Sequence, residues 1–167
     1  MPPDLLARAA EVAADAAGSI LVGVPADEAT TVGPVVSQTQ YDRIQALISI
    51  SERFEPVPEA VATKPYPESH RVKACESEAY VWALPQGDGT QRYRFAVENP
   101  QGVSAMALAV ILDDGLSGEP LERVAAVPCD LVYEVFGREL SMGKSMGLMG
   151  MVNAVTAEAR RALAAAG

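Results

Sequence analysis

Apolar residues recur at helical intervals in two stretches of the N-terminal third. The first stretch, residues 3–17, places its apolar side chains near one face, and the glycine- and proline-bearing residues 18–34 after it are typical of a loop. The second stretch begins at Ser37, which lies three residues before Gln40 in the spacing of a capping box. Apolar residues then follow at helical intervals until Pro56 ends the run. The pattern predicts two helices joined by a loop.

The middle of the chain has the pattern of an extended connector followed by a β-hairpin. Residues 55–70 contain four prolines, which remove backbone donors and favour extended structure. Residues 78–97 then alternate, with Tyr93 and Phe95 on one side of the second run and arginines on the other. Asp88-Gly89, between the two runs, is a strong hairpin turn pair. We therefore expect a two-stranded antiparallel hairpin.

The rest of the chain has a helical pattern. Residues 103–112 are apolar nearly all round, which is typical of a buried helix. After it the pattern predicts a short helix over residues 120–127, a short helix or turn over residues 130–137 and a long C-terminal helix over residues 144–166. This order of elements predicts an α+β domain in which N-terminal and C-terminal helices pack on a small antiparallel sheet. We expect one domain over residues 1–167, with residues 1–36 as its N-terminal helix and loop.

The composition narrows the class of protein. Hydrophobic residues make up 49 % and aromatic residues 5 %, so the core must be built mainly from aliphatic side chains, alanine and methionine. The net charge of −9 argues against nucleic-acid binding, which needs a basic footprint, and against docking on anionic membranes. The first twenty residues lack the pattern of a signal peptide, and no run of about 18 apolar residues could span a bilayer. We therefore expect a cytoplasmic chain with both cysteines as free thiols.

Cys75 is the principal candidate for chemistry. It lies in HRVKACESEAYVW, between the proline-rich connector and the first predicted strand, and therefore on a loop, where reacting groups often sit. Basic side chains that favour a thiolate and acidic ones that oppose it nearly balance around it: His70, Arg71, Lys73, Glu76 and Glu78. From these residues alone, a packed small hydrophobe and a reactive thiol both remain open.

The residues around Cys75 resemble the motif of the SufE family around its sulfur-accepting cysteine. The similar run extends from Arg71 to Ser77 and on to Val81-Trp82, against a family pattern of roughly R-V-x-G-C-x-S-x-V-W. The order of helix, proline-bearing stretch, hairpin, apolar helix, GLSGEPLERV turn and final helix is also similar, so the resemblance covers about residues 37–165. It implies a SufE/IscU-like fold.

The resemblance also implies a function. Cys75 would accept a persulfide sulfur from a SufS-type cysteine desulfurase, stimulate that enzyme and deliver the sulfur to a SufBCD-type iron–sulfur scaffold. The chain would be a carrier without a cofactor of its own, a monomer or homodimer, in the cytoplasm or in a plastid stroma. The residues supporting the loop would be His70, Arg71, Lys73, Glu76 and Ser77. The alternative is a non-catalytic SufE-like module that binds and regulates a partner without carrying sulfur.

Three segments depart from the family pattern. Ala74 stands where the family has glycine before the cysteine, which restricts the backbone. Residues 97–100 replace an acidic stretch, and the segment 141–147 carries Lys144 where arginine is usual. Lysine keeps the charge but loses the planar fork of guanidinium. We expect these changes to affect partner choice more than thiol chemistry, with Lys144 as a possible partner contact.

Three other features have both a packing and a functional interpretation. Cys129 precedes an apolar run and is expected in the core, with a resolving thiol or a second sulfur acceptor as the alternative. His70 is expected as a solvated loop residue, or as a proton relay to the thiol. Methionines 142, 146, 149 and 151 are expected in the core, with a binding patch as the alternative. One histidine and two cysteines are too few ligands for a structural zinc site.

A second resemblance lies nearer the N-terminus. Residues 21–48, LVGVPADEATTVGPVVSQTQYDRIQALI, resemble a segment of aldehyde dehydrogenases. Such an enzyme needs a dinucleotide domain and a catalytic domain, and 167 residues cannot hold both. The segment therefore implies no NAD chemistry.

Overall fold

The computed structural model of this protein describes residues 38–73 and 75–166. The helix predicted over residues 3–17, the loop after it, the cap at Ser37 and the substituted Ala74 lie outside the described residues. The chain divides into two compact units, Met1–Ser49 and Ile50–Gly167. The second unit contains Cys75 and the elements that surround it.

Helix α1 spans Gln38–Ser51, where the apolar spacing predicts a helix. Tyr41, Ile44 and Ile48 recur at helical spacing along it, and each is more than a third exposed. Residues 38–48 of the aldehyde-dehydrogenase-like stretch belong to this helix.

The connector between α1 and the hairpin contains only a short 3-10 helix, Glu68–His70, among its described residues, as its prolines predict. Two contacts fix it to the hairpin. The Val57 N–H donates to the Phe95 carbonyl at 2.7 Å, and Arg71 pairs with Tyr80 in an isolated antiparallel bridge. The connector is therefore held against the sheet without forming a strand of its own.

Strands β1 (Ala79–Pro85) and β2 (Gln91–Val97) form a two-stranded antiparallel sheet. In the turn between them, Gly89 has a φ of +85°, a conformation that favours glycine. The Asp88 carboxylate accepts hydrogen bonds from the N–H and the hydroxyl of Thr90, at 3.0 and 2.7 Å. The predicted hairpin and its turn pair are confirmed.

Four helices follow the hairpin: α2 (Val103–Leu116), α3 (Leu121–Ala125), α4 (Leu131–Phe136) and α5 (Met142–Ala166). Each lies where the pattern predicts a helix, although α5 begins two residues before the predicted start at residue 144. Helix α5 contacts β1 and all three preceding helices, which makes it the central element of this unit. No helix in the described part of the chain is long and apolar enough to cross a membrane.

The two faces of the sheet are covered by different parts of the chain. Helix α2 contacts β2 and α5 contacts β1, over a face on which four residues are buried: Ala79, Val81, Tyr93 and Phe95. On the other face, Tyr80 and Trp82 cluster with Val57 of the connector, and the Tyr66 ring lies 5.2 and 5.3 Å from theirs. The sheet thus has helices on one side and the connector on the other, which confirms the predicted α+β class.

Candidate functional site

Cys75 lies on a short loop that leads into β1, as the sequence predicts. The Val72 N–H donates to the Ala79 carbonyl at 2.8 Å, and this bond joins the two ends of the loop. Inside it, the Cys75 N–H donates to the Val72 carbonyl at 3.3 Å, and the Cys75 carbonyl accepts from the Glu78 N–H at 3.1 Å. Cys75 is therefore fixed between two consecutive turns.

The second half of this loop is tied to the residues that follow β2. The Asn99 N–H donates to the Ser77 carbonyl and the Glu98 N–H to the Glu78 carbonyl, both at 3.2 Å. Glu78 has a φ of +50°, a left-handed conformation that costs a non-glycine residue about 1 kcal/mol. Backbone bonds on both sides hold it there, so the exit of the loop stores a small strain.

Two cavities meet at the Cys75 side chain, which is itself only 8 % exposed. The connector-side cavity, of about 560 Å³, is lined by residues of the loop entrance and one methionine of α5: Glu68, Arg71, Val72, Lys73 and Met146. The helix-side cavity, of about 360 Å³, is lined by the loop exit and the first residues of α2 and α5: Ser77, Asn99, residues 101–105, Lys144, Gly147 and Leu148. Cys75, Glu76 and Gly143 line both.

Glycines of α5 allow this helix to lie directly against the loop. Gly143, Gly147 and Gly150 are spaced by four and three residues, which places them on one face. A Cβ atom at Gly150 would lie 2.9 Å from Val72 Cγ1 and 3.2 Å from the Lys73 carbonyl oxygen. A Cβ atom at Gly143 would lie 3.0 Å from a carboxylate oxygen of Glu76. These glycines escaped the sequence analysis, although three of them at helical spacing were a signal of close packing.

The charged side chains at the cleft differ in whether they are paired. Arg71 contacts Glu68 and Glu78, each at 3.3 Å, and the nearby Glu68 carboxylate raises the pKa of Arg71. Lys73 and Lys144 are exposed, and neither forms an ion pair within residues 38–73 and 75–166. Two lysines outside any ion pair among the described residues therefore line the cleft with the thiol, in a chain whose net charge is −9.

Most of the predicted site residues come together in this cleft. Each of the following lines at least one cavity with Cys75: Arg71, Lys73, Glu76, Ser77 and Lys144. The structure therefore brings Lys144 to the same cavity as Cys75 although the two lie 69 positions apart in the sequence.

His70 is the predicted site residue that lines neither cavity. Its Nδ1 lies 2.9 Å from the Val81 carbonyl, to which it donates, and its ring stacks on Trp82 with the centroids 5.1 Å apart. The expectation of a solvated loop residue is wrong, because the indole offers an apolar surface that half-buries the imidazole. Its contacts are those of a residue that fastens the connector to β1.

Cys129 is less buried than predicted. It lies half-buried in the turn before α4, where its carbonyl accepts the Val132 N–H at 3.4 Å. The apolar run after it does form α4, but the buried positions of that helix are Val132 and Phe136. The expectation that Cys129 is a core residue is therefore wrong.

The four methionines divide between the core and the surface. Met151 is fully buried and Met149 half-buried, whereas Met142 is 79 % and Met146 52 % exposed. The core prediction is right for Met151 and wrong for Met142 and Met146, because the covered face of α5 carries other residues, such as Ser145 and Leu148. Met146 lines the connector-side cavity.

No group of three metal-binding side chains (histidine, cysteine, aspartate or glutamate) comes together in the part of the chain that the structure describes.

Comparisons with known proteins agree with this fold. The model of a family described as "SufE: Fe-S metabolism associated domain" matches residues 36–159, a span that includes Cys75 and both cavities. The solution structure of a hypothetical protein from Thermus thermophilus is similar, with a TM-score of 0.61 and 25 % identity, over 98 % of this chain and 99 % of that one. No curated protein matches the chain.

Proposed function

The chain belongs to the SufE family and acts in iron–sulfur metabolism, and from this premise we propose that it carries sulfur as a persulfide on Cys75. The donor is a SufS-type cysteine desulfurase and the recipient a SufBCD-type iron–sulfur scaffold, in a cytoplasm or plastid stroma. The observation that carries the proposal is the position of Cys75, on a loop inside a cleft between two cavities.

The transfer is an exchange between a thiolate and a persulfide. The Cys75 thiolate attacks the outer sulfur of the persulfide on the desulfurase cysteine. The new sulfur–sulfur bond forms at Cys75, the old one breaks, and the desulfurase cysteine leaves as a thiolate. A thiolate of the recipient then attacks the outer sulfur in the same way and releases the Cys75 thiolate. Atoms and electrons balance without any further oxidant or reductant.

The cleft suits a carrier because persulfides are easily reduced and oxidised. At 8 % exposure, Cys75 is screened from small thiols and peroxides in solution. The same burial requires the loop to open before a partner's sulfur can reach Cys75. The contacts that hold it closed are the Val72–Ala79, Ser77–Asn99 and Glu78–Glu98 backbone bonds and the exposed Arg71–Glu78 ion pair. Segments held by few bonds open locally at low cost.

Mass spectrometry tests the proposal directly. The protein is incubated with a cysteine desulfurase and cysteine, alkylated and digested. We expect a gain of about 32 Da, one sulfur atom, on the peptide that contains Cys75. The peptide that contains Cys129 is the internal control and should stay unmodified. Loading of Cys129 alone, or of neither peptide, contradicts the proposal.

A second candidate function is the non-catalytic binding module. The burial of Cys75 is the observation that favours it, since a packed cysteine needs no chemistry. The Cys75→Ser variant separates the two functions. If the variant stimulates the desulfurase as well as the natural chain does, the protein regulates its partner without carrying sulfur.

A further inference from the structure

The two cavities that meet at Cys75 have different walls, and the difference bears on where the transferred sulfur rests. We infer that the helix-side cavity receives the outer sulfur of the Cys75 persulfide, and that Lys144 is the cation that holds it there. This inference rests on the proposed function and adds to it the resting position of the cargo and the residue that binds it.

The chemistry of the cargo sets what its site must supply. A persulfide is a stronger acid than the parent thiol, so its outer sulfur carries a negative charge at neutral pH. An anion taken out of water needs a cation or hydrogen-bond donors in compensation. It also needs shelter, because the outer sulfur is the atom that solution thiols attack.

The helix-side cavity meets both needs. Its lining residues include four with hydroxyl or amide side chains in addition to Lys144: Ser77, Asn99, Gln101 and Ser104. It is the smaller of the two cavities, at about 360 Å³ against about 560 Å³, and it is the more enclosed. A sulfur atom placed there is more sheltered than on the connector side and shares the cavity with polar residues.

The connector-side cavity offers an anionic sulfur less charge compensation and less shelter. Its guanidinium, Arg71, is already engaged by Glu68 and Glu78. Val72 and the thioether of Met146 supply apolar wall. Glu76 lines both cavities, so its repulsion of an anion does not favour either one. The remaining cation, Lys73, is exposed like Lys144, but it lines the more open of the two cavities.

The helix-side cavity beside Cys75 exists because the first two turns of α5 contain glycines. Gly143 and Gly147 both line the helix-side cavity, and a Cβ atom at Gly143 would approach the Glu76 carboxylate to 3.0 Å. Without side chains at these two positions, the helix surface next to the thiol stays bare. Lys144 lies between them in sequence and lines the same cavity.

Lys144 should slow the loss of the cargo to small thiols. In that reaction a thiolate attacks the outer sulfur, the bond to Cys75 breaks, and the small thiol leaves as a persulfide. Attack is slow on an anionic outer sulfur, because the two anions repel each other, and faster once that sulfur is protonated. A neighbouring ammonium stabilises the anion and so keeps the reactive, protonated fraction low.

The test uses the full chain with Cys129→Ser, so that one thiol is loaded. Inorganic polysulfide loads Cys75 without any partner, excess reagent is removed, and dithiothreitol is added. Mass spectrometry then follows the persulfide over time. We expect Lys144→Gln to shorten its half-life about fivefold, the loss of one charge-assisted contact, and Lys144→Arg to restore most of it. Arg138→Gln removes an exposed cation that lines neither cavity and is the charge control.

Lys73→Gln decides between the cavities. If it shortens the half-life and Lys144→Gln does not, the cargo rests on the connector side and the inference is overturned. The inference is also overturned if the Cys75 persulfide has the same half-life in the Lys144→Gln variant as in the protein that keeps Lys144. A chain that never gains sulfur from polysulfide or from a desulfurase contradicts the proposed function instead, so the two failures are distinguishable.

Discussion

The two cysteines of this chain differ in their exposure and in the structure around them. Cys75 is 8 % exposed, on a loop closed by backbone hydrogen bonds and flanked by two cavities. Cys129 is more exposed, in a turn between two short helices. The thiol that the proposed function needs is thus the less accessible one. A sulfur carrier needs a thiol that can be presented and withdrawn, so a static exposure does not identify it. Cys129 supplies an internal reference for every experiment on Cys75.

The largest expected effect is the loss of the reacting thiol. Cys75→Ser should lower sulfur acceptance from a desulfurase to background, at least about 100-fold, because a hydroxyl is a far weaker nucleophile than a thiolate at neutral pH. The measurement is the sulfur adduct on each cysteine-containing peptide. An adduct that moves to Cys129 in this variant would erase the distinction between the two thiols.

The next effect comes from filling the close contact between α5 and the loop. In Gly150→Ala the new methyl group would meet Val72 Cγ1 at 2.9 Å and the Lys73 carbonyl at 3.2 Å. Alanine favours the helix by about 1 kcal/mol, but overpacking a buried contact costs roughly 1–3 kcal/mol. Overpacking should win, because one of the atoms met belongs to the backbone. We expect a lower melting temperature and alkylation of Cys75 about tenfold faster, since the displaced loop opens more often.

Gly87→Ala is the matched control for that variant, since a Cβ atom there meets nothing within 4 Å. Alkylation of Cys129 should be unchanged in both variants. If Gly150→Ala speeds both cysteines equally, the change is global unfolding and the loop is not separately mobile.

The elements that carry these sites follow from local pattern, whereas their contacts do not. Tyr93 and Phe95 alternate with arginines, and Asp88-Gly89 favours the turn. The hairpin can therefore be predicted from residues that are adjacent in the sequence. The family motif likewise identifies Cys75. Gly150 shows the limit, because a glycine inside a helix looks like a weak point until its partner, Val72, is known. That partner lies 78 residues away in the sequence.

Burial was the property least predictable from sequence. Met142 and Met146 have the helical spacing of core residues, yet both are exposed, because spacing defines a face without showing whether that face is the covered one. Cys129 likewise precedes an apolar run whose buried positions begin three residues later. The half-burial of His70 against Trp82 could not be predicted either, because the two residues come into contact only in the folded chain.

A smaller effect is expected from the ion pair at the base of the loop. Arg71→Gln removes the contacts with Glu68 and Glu78, both exposed, and such pairs contribute little. We expect alkylation of Cys75 to become about twofold faster at low salt, with Cys129 unchanged. The difference should fade at high salt, because screening weakens the pair in the natural chain too. Arg123→Gln is the control, because it removes an exposed ion pair between Arg123 of α3 and Glu119. This variant should leave the alkylation rate of Cys75 unchanged.

The smallest effect is expected from Cys129→Ser. The side chain is half-buried in a turn, and the hydrogen bond at this residue uses its backbone carbonyl, which serine retains. The free energy of unfolding should therefore change by less than about 1 kcal/mol, and sulfur loading of Cys75 should keep its natural rate. Urea denaturation and the rate of adduct formation measure the two quantities. If loading slows markedly while stability is unchanged, Cys129 takes part in the transfer as a second thiol. The two cysteines would then have different roles in the same reaction.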